Sequence, residues 1–323
     1  MTSPREILII ANPTSGRGRG GRMAQAVADH LLDRGLATAV RFTSAAGEAE
    51  AIAREAGDRE RDRFSCIVGC GGDGTLQEVA HALASAGSTG DEEVPVMGLA
   101  PAGRCNDFAR ALGVSRQAEG VATTLAEGRP TAIDLGCVNG RYFCTVATIG
   151  IDAEVTAYVD SMTAPLRGTA AYLFGACRVL GRYRPRELRI RGEFGVIDRP
   201  VFLASTANTA CYGGAIPIAP AAIPTDGLLD LCVIDDVSIS RALRLIPSVL
   251  AGRHANHPEV RIVQTKRLDI DADERLDIWA DGERIARTPA TLSVAPGAIR
   301  VMLPPGFDPY ATAQRNGRWG EYA

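Results

Sequence analysis

Over roughly its first 130 residues the chain alternates short apolar runs with longer stretches in which apolar residues recur at helical spacing. The runs at 7–11, 37–42, 66–69 and 96–100 read as strands, and the alanine-rich segments 22–34, 47–56 and 76–86 between them read as helices. That alternation predicts a parallel sheet covered by helices. Past Ile133 the texture changes to short runs at 142–149, 189–190, 201–206, 229–234 and 276–279, punctuated by Gly, Pro and Asp. These predict an antiparallel, sandwich-like second domain, interrupted by helical stretches at 164–181 and 240–250. The expected division is 1–132 for the α/β domain and 133–304 for the sandwich domain, with the tail 305–323 packing back on the first.

Length and composition allow this. With 323 residues, of which 46% are hydrophobic, the chain can bury a core in each of two domains. A formal net charge of −3 excludes a protein that works by blanketing nucleic acid, so no nucleic-acid partner is expected. Lysine occurs once, at Lys266, which removes the P-loop and the protein-kinase strand lysine from consideration. The eight cysteines form no CxxC pair and predict reduced thiols rather than a disulfide frame or zinc site. No apolar run reaches the roughly 20 residues of a membrane span, so a cytoplasmic protein is expected, at most resting on the inner face of a membrane.

Three loops stand where a parallel sheet presents ligands, each following a strand and opening a helix. They are Asn12-Pro-Thr-Ser-Gly-Arg-Gly-Arg-Gly20, Gly69-Cys-Gly-Gly-Asp-Gly-Thr75 and Pro101-Ala-Gly-Arg-Cys-Asn-Asp107. Glycines let backbone N–H groups approach an anion, and a helix N-terminus adds partial positive charge, so the loops suit phosphate. An aspartate in the second loop opposes a bare phosphate, and a divalent cation such as Mg²⁺ between carboxylate and phosphate resolves the conflict. A solvated turn is the alternative for a lone Gly-Asp-Gly, but three loops at equivalent positions argue against it. Residues 16–21 also satisfy GxGxxG, yet residues 39–43 offer no acidic ribose ligand, so a hydride-transfer site is disfavoured.

The stretches NPTSGRGRG, GGDGTLQEV, NDFARALG, YGGAIPIAPAAIPTDGLLDLCVI and DGERIARTP, in this order over residues 7–304, resemble the diacylglycerol kinase catalytic family. That resemblance implies an NAD kinase-like parallel α/β lobe, a C-terminal antiparallel β-sandwich lobe and an active site between them. It implies an ATP- and Mg²⁺-dependent lipid kinase acting on a primary hydroxyl, with diacylglycerol favoured as acceptor and ceramide, a sphingoid base or monoacylglycerol as alternatives. An NAD kinase-like enzyme and a non-catalytic nucleotide- or lipid-binding regulator stay open beside it. By position, Asn12, Thr14, Ser15, Gly16 and Thr43 correspond to the ATP-contacting residues, and Gly72, Asp73, Gly74, Thr75 and Glu78 to those holding phosphates and metal. Gly103, Arg104 and Asn106 correspond to further nucleotide-binding residues, and Asn106 and Asp107 fall beside the reacting centre. Asp281 corresponds to the general base, with Glu283 near it. A second, structural Mg²⁺ corresponds to Asp226 with the carbonyls of Ile223 and Leu228, and Asp134 to a residue linked to it through water.

Two positions depart from the family pattern: Arg104 stands where threonine is usual and Gln77 where asparagine is usual. The guanidinium fork of Arg104 suits a donor or lipid phosphate. Between Arg167 and Arg191 seven arginines and one glutamate interleave with aromatic and aliphatic residues, a composition suited either to an anionic bilayer surface or to packing on the domain itself. The lipid-kinase resemblance favours the membrane; a homodimer is compatible with the sequence.

Overall fold

The computed structural model describes residues 6–60, 62–87, 94–161 and 169–310. Met1–Asp134 with Gly297–Asp308 make one compact unit, and Leu135–Pro296 falls in a second.

The first unit runs β1 (Glu6–Ala11), α1 (Ser15–Leu32), β2 (Thr38–Phe42), α2 (Glu48–Arg59), β3 (Phe64–Gly71), α3 (Asp73–Gly87), β4 (Val96–Pro101), a short α4 (Asp107–Ala111), α5 (Ala118–Glu127) and β5 (Arg129–Val138), which leads out of it. Strands β1 to β4 are parallel, in the order β2-β1-β3-β4. β1 is buried from Ile7 to Ala11 and β4 throughout, as expected of strands covered on both faces. Helices close over them with small or aliphatic stripes: Met23, Val27 and Leu31 on α1, Ala49, Ala53 and Ala56 on α2, and Leu76, Val79 and Leu83 on α3.

The second unit runs β6 (Arg141–Phe143), β7 (Val146–Gly150), α6 (Ile151–Ser161), α7 (Thr169–Leu180), β8 (Arg186–Gly192), β9 (Gly195–Ala207), β10 (Leu229–Asp235), α8 (Ile239–Leu250), β11 (Val260–Thr265), β12 (Arg267–Ala272), β13 (Asp277–Ala280), β14 (Glu283–Arg287) and the first part of β15 (Ala290–Leu303). The pairings of β7 through β14 are antiparallel. β9 holds the architecture together: its first half pairs with β8, and its second half lies between β7 and β10. Leu188, Ile190, Leu268 and Ile270 alternate with exposed or half-buried neighbours and fill a sandwich core with Val201, Leu231 and Val233. β10 is buried on both faces, because Cys232 and Ile234 point into a second core closed by α6, α7 and α8.

Three sequence expectations are amended here. Helix α6 is absent from the sequence reading, since residues 151–161 follow a strand directly and are rich in β-branched residues, which hides the helical period. Residues 297–303 belong to the first unit rather than the second: Ile299, Val301 and Leu303 are buried at every other position, and Val301 pairs in parallel with Met97. Of the tail 305–323, residues up to Asp308 belong to the first unit, with Phe307 where a side chain on Gly113 would otherwise stand, Pro309 and Tyr310 group with the second, and 311–323 lie outside the described residues.

Candidate active site

The three glycine loops of the first unit interlock through their backbones. Ser15 Oγ accepts from Gly72 N at 3.3 Å, while Ala102 N and Gly103 N both donate to Gly71 O, at 2.7 and 3.0 Å. A Cβ on Gly103 would stand 2.4 Å from Gly72 Cα, and one on Gly16 2.1 Å from Ala102 O. Both contacts are backbone and cannot yield, so glycine here is first a requirement of loop against loop. Gly16, Arg17 and Gly18 form a left-handed run that turns the first loop into α1. Asn12 Oδ1 holds that turn by accepting from Thr14 N at 3.1 Å and Thr14 Oγ1 at 2.8 Å. Thr43, at the end of β2, is buried and its N–H donates to Ala11 O at 2.9 Å.

Asp73, at the start of α3, spends its carboxylate on the third loop. Oδ2 accepts from Asn106 N at 2.7 Å and Oδ1 from Phe108 N at 3.3 Å, which satisfies the amide end of α4. A carboxylate oxygen can accept more than one bond, so these contacts are compatible with a cation ligand. Asn106, in the left-handed region, clamps the same loop by accepting from Gly103 N at 2.8 Å and donating to Gly103 O at 3.0 Å. Asp107 is buried and ion-paired with Arg110 three residues on. Gly74 is half-buried and Thr75 buried, while Arg104 is exposed.

Glu78 points at the N-terminus of α2. Its Oε1 accepts from Gly47 N at 2.9 Å, and its Oε2 from Ala49 N at 3.0 Å and Glu50 N at 3.3 Å. It caps α2, whose own N-cap, Gly47, makes no side-chain bond. This gives Glu78, expected beside phosphate and metal, a structural use at the start of α2. The carboxylate sits where four helix amides lack internal partners, and it satisfies three of the available donors.

In the second unit Asp281 occupies a left-handed turn between β13 and β14, with φ 52°. Its carboxylate accepts from Cys144 N at 2.6 Å, from Thr145 N at 2.9 Å and from the Thr145 hydroxyl. Asn208 Nδ2 in turn donates to Cys144 O at 2.9 Å, and Asn208 N to Thr145 O at 2.8 Å, fixing the segment that holds Asp281. Burial pushes the Asp281 carboxyl up to about 6 against the lowering effect of its donors, and the charge of exposed Glu283 adds to the rise. A carboxylate in this state is a proton acceptor suited to neutral pH.

Between β9, β10 and helices α6 to α8 lies a cavity of about 130 Å³ within the second unit. Its walls are aliphatic and aromatic, including Val155, Leu180, Phe202, Ile218 and Leu245, and among the described lining residues only Tyr212 carries a polar side-chain atom.

Residues 6–138 match the diacylglycerol kinase catalytic domain, and residues 145–303 match the YegS C-terminal NAD kinase beta sandwich-like domain. The diacylglycerol kinase of Bacillus subtilis is 31% identical over 297 residues, which is 92% of this chain and 95% of that protein. This chain belongs to the diacylglycerol kinase catalytic-domain family. A diacylglycerol kinase of Mycobacterium tuberculosis is 29% identical over 306 residues, 93% of this chain and 95% of its own. A crystal structure from Bacillus anthracis shares the fold, with a TM-score of 0.78 at 23% identity over 94% of this chain and 99% of that one. The family assignment makes the protein a lipid kinase.

For a member of the diacylglycerol kinase family the second expected Mg²⁺ position can be tested on the turn before β10. Asp226 Oδ1 accepts from Leu228 N at 2.9 Å and Asp226 N donates to Ile223 O at 3.4 Å, so the three expected ligand residues form one turn. Close by on β10, Asp230 is 1% exposed with Oδ1 lacking a hydrogen-bond partner, and Thr225 Oγ1 is also buried without one. Burial, together with the charge of Asp226, pushes the Asp230 carboxyl up to about 7. Two neighbouring carboxylates, one of them buried with an unpartnered oxygen, fit a divalent cation. Among the described residues no three His, Cys, Asp or Glu side chains gather as a ligand set, so backbone carbonyls would complete it. Asp134 belongs to the first unit, where its Oδ1 accepts from Gly297 N at 2.7 Å.

Thr145, Asn208 and Asp230 are absent from the sequence reading. Asp230 ends the quoted DGLLD run and was open to recognition there; Thr145 and Asn208 lie in strand-like stretches without chemical signature. The cysteines show no disulfide among the described residues, and burial pushes Cys66, Cys70 and Cys105 up to about 12, which leaves them inert.

Proposed function

We propose that the protein transfers the γ-phosphoryl group of ATP to the primary hydroxyl of diacylglycerol, with Mg²⁺. The observation that carries the choice of acceptor is the cavity of the second unit, whose nearly unbroken apolar lining suits an acyl chain and offers nothing to a soluble dinucleotide. Ceramide, a sphingoid base and monoacylglycerol present the same hydroxyl chemistry and are ranked by assay.

In this reading the loop amides around Gly72, Gly103 and Gly16 receive the polyphosphate, and Arg104 adds an exposed cation to it. Mg²⁺, when bound, neutralises charge on the transferring phosphoryl group. Asp281 accepts the alcohol proton as the new P–O bond forms, and Cys144 N, Thr145 N and the Thr145 hydroxyl hold its carboxylate in place. Asp73 keeps the second and third loops in register through Asn106 N and Phe108 N.

The experiment is incubation with γ-labelled ATP, Mg²⁺ and a panel of lipids plus NAD, repeated with Asp281→Asn. Label in diacylglycerol, lost in the variant, supports the proposal. Label in NAD, or ATP bound without turnover of any lipid, overturns it.

A further inference from the structure

Helix α8 carries two apolar stripes. With about 100° per residue, Ala242, Leu245 and Val249 share one side, and Ala242 and Leu245 are buried in the second core. Ile239, Leu243, Ile246 and Leu250 share an adjacent side at spacings of four, three and four residues. Ile239, Leu243 and Leu250 on that side are 45%, 46% and 39% exposed, so the second stripe is not spent on the core. Ile246 and Leu250 also line the apolar cavity, which makes the exposed stripe continuous with the cavity wall.

The charged side chains on the helix and the turn after it are basic, with Asp235 and Asp236 before that segment and Glu259 after it. Residues 237–258 contain Arg241, Arg244 and Arg253 and no acidic residue. Arg241 is paired with Glu259, but among the described residues neither Arg244 nor Arg253 is in an ion pair, and both are exposed. The stretch 167–191, expected from composition to meet the membrane, is only partly within the described residues. Leu180 and Tyr183 are buried in the second core, and Phe174 and Arg178 are exposed on the side of α7 opposite the cavity-lining Ala176 and Leu180; Arg167 lies outside the described residues.

We infer that α8 is the membrane-docking element. Its Ile239-Leu243-Ile246-Leu250 stripe enters the surface of an anionic bilayer, Arg244 and Arg253 meet the lipid head groups, and an acyl chain passes along Ile246 and Leu250 into the cavity. The inference rests on the lipid-kinase reading for the identity of the cavity's occupant, and the docking itself is read without catalysis.

Sedimentation with vesicles of phosphatidylcholine, with and without phosphatidylglycerol, tests it on the full chain, wild type against Leu243→Glu and Arg244→Glu. The wild type binds the anionic vesicles, Leu243→Glu binds about tenfold to a hundredfold more weakly with an unchanged melting temperature, and Arg244→Glu weakens binding to the anionic vesicles only. Turnover of a short-chain diacylglycerol presented as monomer stays unchanged in Leu243→Glu, while turnover of long-chain diacylglycerol in vesicles falls with binding. Absence of wild-type binding, equal binding by Leu243→Glu, or a dimer in solution that Leu243→Glu dissociates would each overturn the inference. Vesicle binding without phosphorylation of any lipid, monomeric or in vesicles, would overturn the functional proposal and leave the docking supported.

Discussion

Replacing Glu78 separates a structural carboxylate from a phosphate-handling one. The side chain is 8% exposed and its two oxygens accept three backbone N–H groups of the α2 N-terminus at 2.9 to 3.3 Å. A hydrogen bond to a charged group contributes about 1.5–3 kcal/mol, an N-cap about 1 kcal/mol and a charge at a helix N-terminus roughly 0.3–1 kcal/mol, and these overlap rather than add. Glu78→Ala strands three donors next to the core and should cost about 3 kcal/mol. Glu78→Gln keeps one acceptor oxygen but turns an amide NH₂ toward an N–H, and should cost roughly half of that. For a unit of this size, 2–4 °C of melting temperature per kcal/mol predicts a fall of roughly 6–12 °C for Glu78→Ala. Differential scanning calorimetry of both variants, beside ATP and Mg²⁺ titrations of turnover at a temperature where they remain folded, provides the comparison. The capping argument expects lower stability with the KM for ATP within about twofold of wild type. A tenfold change in ATP or Mg²⁺ dependence at unchanged melting temperature would refute it and return Glu78 to the phosphates.

Three further outcomes follow from the geometry. Because Asp281 must be ionised to accept a proton and titrates at about 6, kcat/KM should fall about tenfold per pH unit below that value, and Asp281→Asn should lower kcat on the order of a hundredfold or more; a flat profile down to pH 5 would remove Asp281 as the base. The folded-state value of Asp230, about 7, lies above its ordinary 3.8, so the stability linked to it is fully present below about pH 4 and drains away as pH rises to about 7. In metal-free protein at pH 8, Asp230→Asn should therefore stabilise by on the order of 2–4 kcal/mol, while Mg²⁺ raises the melting temperature of the wild type; no response to either would count against a cation at this turn. Arg104→Thr, at an exposed position, should leave the melting temperature unchanged and raise the KM for ATP a few-fold, and tighter ATP binding would show that the arginine obstructs.

The sequence alone marked the four parallel strands and the three helices between them, because buried runs such as Ile7–Ala11 and Val96–Pro101 flanked by helical period read as doubly covered strands. Helix α4 was marked only by the loop that opens it, and α5 went unread. It also placed the three glycine loops after their strands and marked Asp73, Asp107 and Asp281 as carboxylates in motif positions. Local pattern could do this because strand period, helix period and turn chemistry are properties of neighbouring residues.

Tertiary structure decided what each carboxylate touches. Glu78 sits five residues after Asp73 on one helix, yet one carboxylate caps α2 some 30 residues earlier and the other caps α4 some 33 residues later. Asp281 is held by Cys144 and Thr145 across more than 130 positions, and Asp230 acquires its raised pKa only when β10 is covered on both faces. The division of α8 into a buried stripe and an exposed one was equally invisible, since both stripes are written in the same aliphatic residues. Hydrogen-bond partners and burial depend on distances between segments that the chain brings together only on folding, and no local period encodes them.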